Sequence, residues 1–366
     1  MKRKKVVVAM SGGVDSSVTA ALLLEQGYEL TGVTMQIWDP EQTEVSGEEV
    51  GCCSLSAVDD ARRVANTLNI PYYVLNFRKH FEKTVIDYFI EEYLQGRTPN
   101  PCIACNRYVK FTALLQKARS VGADFIATGH YARLGFSNEH NRYIIKKSAD
   151  SKKDQTYVLY NLTQEQIAHT LMPLGAYTKA QVREMAVKYN LTVAAKPESQ
   201  EICFVPNDNY RDFIQKKINT EIKPGLFLDT QGNVMGEHSG IPFYTYGQRR
   251  GLGIAAGERM YVVDIDPAKN IITLGSEKAI FSTELWSGQN NFIAFDKLTV
   301  PLEVEAKIRY NSKPYPAMIF PEAEDLVRVV FKEPQRSVTP GQAVVFYKGD
   351  IVIGGGTILK NNYNKS

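Results

Sequence analysis

One junction, where a run of small apolar residues meets two glycines and passes into a helical pattern, constrains this chain more than any other feature. Val6 to Met10 is continuous, apolar and rich in β-branched residues, the composition of a parallel strand covered on both faces. Ser11-Gly-Gly-Val-Asp15 follows, and Ser16 to Gln26 reads as a helix that Gly27 can end. Gly12 and Gly13 can take positive φ and bring bare backbone N–H groups up to a ligand. The helix start adds its own unpaired N–H groups and the positive end of its dipole. The junction is therefore an anion site that suits a phosphate. No lysine follows the glycines, so it is not the Walker loop, in which a Lys-Ser/Thr pair grips the terminal phosphates and Mg²⁺.

The rest of the first half repeats the alternation. Glu29–Ile37, Pro71–Phe77 and Asp124–Thr128 read as strands. Between them, Ser54 can cap a helix with Leu55, Val58, Ala61, Ala65 and Leu68 on one face, and Phe81, Val85, Phe89 and Tyr93 recur at helical spacing before Gly96. Residues 39–54 are polar and glycine-dotted, a long loop. The pattern predicts an α/β doubly wound parallel sheet, in which ligands sit beyond the strand C-termini. That rule gathers Ala9, Met10, Ser11, Gly12, Gly13, Val14, Asp15, Ser16, Met35 and Gly129 around one nucleotide-sized cleft.

Asn100-Pro101 is an N-cap followed by proline at the first helical position, and Ala104, Tyr108, Phe111, Leu115 and Ala118 continue at helical spacing. Cys102 and Cys105 fall in the opening turns, where the dipole favours thiolate. Such a Cys-x-x-Cys pair can be a redox dithiol, half of a zinc site or two small buried hydrophobes. Cys203, between apolar neighbours, reads by itself as inert core, and Cys52-Cys53 as structural. Five cysteines in a chain of 366 residues argue against a disulfide framework. Lys2–Lys5 is not followed by a signal h-region and no 18 apolar residues run together, which predicts a cytoplasmic protein without a membrane partner.

A formal charge of +3, from 43 basic and 40 acidic residues, gives no general pull toward polyanions, so any nucleic-acid contact must rest on local patches. Gly247-Gln-Arg-Arg-Gly-Leu-Gly253 is one such patch: Arg249 and Arg250 put two guanidiniums on a flexible loop suited to phosphate. Beyond Trp286 only strand patterns remain, at Leu302–Tyr310, Ala317–Phe320, Asp325–Phe331, Ala343–Tyr347 and Ile351–Leu359, as in a small β-barrel. The length calls for two or three domains, and the composition divides it into a catalytic α/β domain (1–206), a small central domain (207–280) and a C-terminal barrel (281–366), both of the latter mainly β.

Taken in order, these segments carry a resemblance. Ser11–Ser16 resembles the PP-loop of the N-type ATP pyrophosphatases, which split ATP into AMP and pyrophosphate. Together with Gly96–Asn106, Thr128-Gly-His130, Lys153-Asp-Gln155, Glu201–Phe204 and Gly247–Gly253, it is similar to the tRNA-specific 2-thiouridylases, the MnmA/TrmU family. The resemblance implies that ATP adenylates O2 of the wobble uridine, U34, in the tRNA anticodon loop, and that a cysteine persulfide delivers sulfur to C2. It implies Cys105 as nucleophile and Cys203 as persulfide carrier, recharged by a sulfur-relay protein or a cysteine desulfurase. Asn100, Pro101 and Cys102 are implied against the target base. His130, Lys153, Asp154, Gln155, Arg309, Tyr310 and Gln342, with Lys307, are implied on tRNA alongside Arg249 and Arg250. Asp15, where the loop meets the helix, is expected to hold Mg²⁺ beside the phosphates.

Adenylation suits the chemistry, because it turns expulsion of oxide into expulsion of a phosphate ester, and a second thiol can then resolve a persulfide by exchange. One departure stands out: the well-studied form of the motif has Asp where this chain has Cys102. Cys102, Cys105 and Cys203 could then instead hold a [4Fe–4S] cluster. Two other readings remain at this point, a PP-loop ligase or amidotransferase acting on a small metabolite, and a nucleotide-regulated RNA-binding protein without catalysis. Neither has a use for Cys105 with Cys203.

Overall fold

The structure, a computed structural model, describes residues 3–37, 55–197, 202–205, 207, 209–218 and 221–360. The expectations placed on 39–54, Cys52 and Cys53 lie outside the described residues. The apolar run becomes β1 (Lys5–Ala9), the centre of a five-stranded sheet with β2 (Glu29–Gln36), β3 (Tyr72–Asn76), β4 (Phe125–Ala127) and β7 (Thr170–Leu171), in the order β3-β2-β1-β4-β7. All its pairings are parallel, so each crossover must pass over a face. Val6 and Val8 point into one apolar cluster, with α1 (Val14–Glu25), α2 (Leu55–Thr67) and α6 (Lys179–Lys188). Val7 points into the other, with α3 (78–94) and α4 (101–120).

The strict four-residue repeat of Phe81, Val85, Phe89 and Tyr93 overshoots an α-helical turn of about 3.6 residues. Within α3, Glu82–Ile86 is wound as a wider π-helix, and all four side chains stay buried. Glycine ends the helices where expected: Gly27 and Gly96 have φ of 87° and 65°. One stripe residue departs. Tyr108 on α4 is exposed, while Ala104, Phe111, Leu115 and Ala118 are buried.

A second sheet follows α7 (Tyr210–Lys217): β8 (Gly225–Leu228), β9 (Val234–His238), β10 (Tyr261–Asp266) and β11 (Ile271–Gly275), ordered β10-β11-β8-β9. The third is a closed ring of β12 (Phe281–Phe292), β15 (Leu326–Arg336), β14 (Tyr315–Ala323), β13 (Leu302–Lys307), β16 (Ala343–Lys348) and β17 (Ile351–Ile358). It closes because β12 pairs with both β15 and β17. The expected strand Leu302–Tyr310 stops at Lys307, since Ser312 N–H donates to Arg309 O and turns the chain.

One pairing was not expected. The hairpin β5 (Arg133–Ser137) and β6 (Arg142–Lys146), which precedes the short α5 (Gln164–Ala168), joins the barrel sheet through Lys146 and Ile351. Part of the first half of the chain is therefore joined to the barrel sheet. The loop between these strands lacks a glycine turn, and Asn141 supplies its positive φ of 48° instead.

Candidate active site

The phosphate loop is held by its own hydroxyls. Ser16 Oγ accepts from Ser11 N–H at 3.1 Å and donates to Gly13 O at 3.1 Å, and Ser17 Oγ donates to Gly13 O at 2.8 Å. Gly12 has a φ of 67°, and a Cβ there would stand 2.2 Å from the Ala57 carbonyl oxygen, so α2 packs onto the loop at a point where only glycine fits. Gly129, just past β4, comes equally close: a Cβ on it would lie 2.9 Å from Asp15 C and Ser16 N. The strand-end rule thus brings Gly129 to the loop. Met10 and Val14 are buried, their side chains serving the core, and the Met10 carbonyl accepts from Thr34 Oγ1. Met35, on β2, is half-buried.

Asp15 does not stand open to a cation. Lys179 Nζ, at the first position of α6, donates to both carboxylate oxygens at 2.7 and 2.9 Å, and Tyr131 OH donates to Oδ1 at 2.7 Å. The Lys179 side chain is only 12% exposed, so this pair is partly shielded from solvent screening. The expectation that Asp15 holds Mg²⁺ meets an ammonium instead. Among the described residues no three His, Cys, Asp or Glu side chains are grouped to bind a metal, so a Mg²⁺ at Asp15 would take further ligands from the nucleotide phosphates.

Asn100 caps α4 as expected, its side chain accepting from Ile103 N–H at 3.2 Å, with Pro101 buried behind it. Cys102 is exposed, and Cys105 and Cys203 are half-buried; none is in a disulfide. Cys105 and Cys203 pack against the same apolar cluster. Phe204, beside Cys203, stacks edge-on against Phe81 and Phe89 of α3, the helix against which α4 also lies. The three thiols are not assembled as metal ligands, so the residues do not fit an iron–sulfur cluster.

Several residues expected on tRNA are engaged within the protein. His130 is buried, its Nδ1 is 2.8 Å from Thr128 Oγ1, and burial, with Lys110 nearby, holds its pKa well below the usual histidine value. Asp154 accepts from Ser148 N–H and Thr156 Oγ1, and Gln155 accepts from Tyr131 N–H. Gln342 Nε2 donates to the Thr98 and Pro99 carbonyls. His130 is buried, whereas Asp154, Gln155 and Gln342 remain partly exposed beside these internal bonds. Arg249 and Arg250 are exposed, as is Tyr310, while Lys153 is half-buried. Arg309 donates to Ser337 O at 2.6 Å, and Lys307 lies over the Tyr157 and Tyr310 rings. Burial lowers the pKa of both.

Three family models tile the chain: tRNA methyl transferase HUP domain over residues 4–207, tRNA methyl transferase PRC-barrel domain over 211–276 and aminomethyltransferase beta-barrel domain over 282–358. A Desulforamulus reducens protein named tRNA-specific 2-thiouridylase MnmA is 66% identical over 364 residues, covering 100% of this chain and 99% of that one. The chain belongs to the tRNA-specific 2-thiouridylase family. Two further 2-thiouridylases, from Carboxydothermus hydrogenoformans and Acetivibrio thermocellus, are 63% and 60% identical, each covering 98% of this chain and, respectively, 98% and 100% of their own length.

Two residues that bond Asp15 in this 2-thiouridylase family member escaped sequence reasoning, Tyr131 and Lys179. Tyr131 carries no signal beyond following Gly129-His130. Lys179 does carry one: Thr178 is an N-cap with a capping box to Gln181, and a lysine at the next position sits at the positive end of the dipole, where cations are disfavoured. A misplaced charge of that kind points to a partner elsewhere, here Asp15.

Proposed function

We propose that this protein binds ATP on the Ser11–Ser16 loop, adenylates O2 of the wobble uridine of tRNA and replaces that oxygen with sulfur. What carries the reading is a phosphate loop on the same chain as two half-buried cysteines outside any disulfide, Cys105 and Cys203, that border one apolar cluster, in a chain 66% identical end to end to a named 2-thiouridylase. Uridine O2 attacks the α-phosphate and pyrophosphate leaves. Backbone N–H groups of the loop and the start of α1 stabilise the charge that develops, and Lys179, aimed by Asp15, supplies the cation that the loop lacks. Mg²⁺ enters, where required, with the nucleotide as part of the substrate.

The terminal sulfur of a Cys203 persulfide then attacks C2, and AMP departs with the former O2. Cys105 thiolate attacks Cys203 Sγ and breaks the S–S bond, leaving the transferred sulfur on C2 as the thiocarbonyl and a Cys105–Cys203 disulfide. An external thiol reductant reopens that disulfide. A sulfur-relay protein or a cysteine desulfurase reloads Cys203. The base must leave the anticodon stack to reach the cleft, and Asn100, Pro101 and Cys102 line the approach to Cys105 along the chain.

The test is thiolation of unmodified tRNA with ATP and a persulfide donor, read as 2-thiouridine by nucleoside mass spectrometry. Cys105→Ser and Cys203→Ser are each expected to abolish the product while ATP-dependent adenylation of tRNA survives. Thiolation undiminished in either variant would refute the dithiol route.

A further inference from the structure

Two buried asparagines tie the cysteine helix to the segment between the β5–β6 hairpin and α5. Asn106, next to Cys105 and 1% exposed, donates from Nδ2 to Val158 O at 3.0 Å. In return Asn161, 7% exposed, donates from Nδ2 to Ile103 O at 3.5 Å. On each side the donor lies three residues beyond the acceptor, so the two amides clasp one turn of α4 against one turn of the facing segment. The clasp straddles a change of winding: Pro101–Ala104 is α-helical, whereas Cys105–Ala113 is wound as a wider π-helix. Cys105 is the first residue of the wide stretch. The facing segment is in turn bound to the barrel, because Asn291 Nδ2, on β12, donates to Tyr160 O at 2.7 Å and to Leu162 O at 3.1 Å, and Tyr157 OH donates to Ala343 O at 2.8 Å.

Each asparagine also keeps its Oδ1 buried with no hydrogen-bond partner among the described residues. A buried amide left half satisfied costs stability, a cost that apolar side chains of similar size would not carry. What the amides supply is direction, since an apolar contact can slide along a helix whereas a donated bond fixes one register. We propose that Asn106 and Asn161 are positioning residues for Cys105, a reciprocal clasp that sets the point at which α4 widens and with it the direction in which the Cys105 thiol is presented. Among the described residues neither asparagine bonds the Ser11–Ser16 loop. The clasp therefore bears on the step that uses the thiol and leaves the phosphate loop alone.

Asn106→Leu keeps the bulk of the side chain and removes the donor. In the tRNA-free protein, iodoacetamide labelling of Cys105, read by peptide mass spectrometry against Cys203 as internal reference, is expected to accelerate roughly tenfold, the worth of one to two neutral hydrogen bonds. In turnover, an arm that rests on the function proposed above, kcat for thiolation should fall by a similar factor with the KM for tRNA nearly unchanged. Adenylation of tRNA, measured as pyrophosphate release in a Cys203→Ser background, should keep its rate, whereas loss of a merely structural residue would slow both steps alike. Asn161→Leu should act in the same way, and the double variant no more strongly than either single one, because both amides hold one turn. Unchanged labelling overturns the clasp. So do equal falls in adenylation and thiolation, or effects that simply add in the double variant. Should Asn106→Leu fold poorly, Asn161→Ser, whose hydroxyl is too short to reach Ile103 O, gives the same readouts with the Asn106 bond kept. Labelling tests the clasp even if the chain thiolates nothing, so failure of the one idea is distinguishable from failure of the other.

Discussion

At the scale of single residues, the site is set by charges and protons that burial controls. His130 is neutral because its cavity penalises the imidazolium, so its folded pKa lies below its unfolded one. Stability that depends on the neutral ring is complete above the unfolded value of about 6.5 and is lost as pH falls through the folded value. His238 shifts the same way, chiefly by burial. We expect the melting temperature to drop from pH 7.5 to 5.0, and His130→Asn to flatten that drop by at most about 1.4 kcal/mol per pH unit, the limit for one proton. An unaltered pH profile in the variant would place the titrating group elsewhere. Lys179 offers a second measurement. If it serves ATP, Lys179→Ala should slow adenylation by roughly 10²–10³, as loss of one preorganised electrostatic donor does. tRNA affinity should stay intact and Lys179→Arg should recover part of the rate; equal losses in both functions would make the Asp15 pair structural only.

At the scale of elements, what the sequence made legible was whatever local backbone chemistry decides. The glycine junction, the Asn100-Pro101 helix start and the C-terminal glycines each depend on neighbours within a turn, and each formed, except that at the junction only Gly12 takes positive φ, Gly13 being extended at −100°, and the helix begins at Val14 instead of Ser16. What stayed hidden depends on partners far along the chain. Gln342 meets Thr98 across 244 residues, Lys179 meets Asp15 across 164, and the β5–β6 hairpin gains its barrel partner only at Ile351. No periodicity reports such pairings, so it was not legible in the sequence that a side chain expected on tRNA, Gln342, also bonds within the protein. Asn100 can be divided between the two kinds of role. Asn100→Ala should cost about 1 kcal/mol of stability through the lost cap. Asn100→Asp keeps the cap and should keep the melting temperature, yet thiolation should fall more than about tenfold if the amide donates to the target base, since a carboxylate cannot. Full activity in Asn100→Asp would leave the residue a cap alone.

At the scale of the whole molecule, the balance of charge places the burden of tRNA binding on few side chains. With 43 basic against 40 acidic residues, the surface as a whole repels a polyanion about as much as it attracts one. Cations that are exposed differ from those already spent. Arg309 is half-buried and donates to Ser337 O, whereas Arg249 and Arg250 are exposed on a loop whose Gly247 packs so closely on Ser337 that a Cβ would stand 2.1 Å from its hydroxyl. The loop is thereby fixed to the barrel at one end and free to present both guanidiniums at the other. Each phosphate contact adds about one unit to the slope of log K against log salt. Arg249→Ala with Arg250→Ala should therefore flatten the slope for tRNA by about two units and weaken binding at low salt. Arg309→Ala should flatten it by less than about one, because that guanidinium gives up an internal bond to reach a phosphate. ATP affinity should not move in either variant. The measurement is tRNA binding between low and physiological salt. If the slope falls more for Arg309→Ala than for the double variant, the phosphates lie along the barrel rim, and the Gly247–Gly253 loop is only surface.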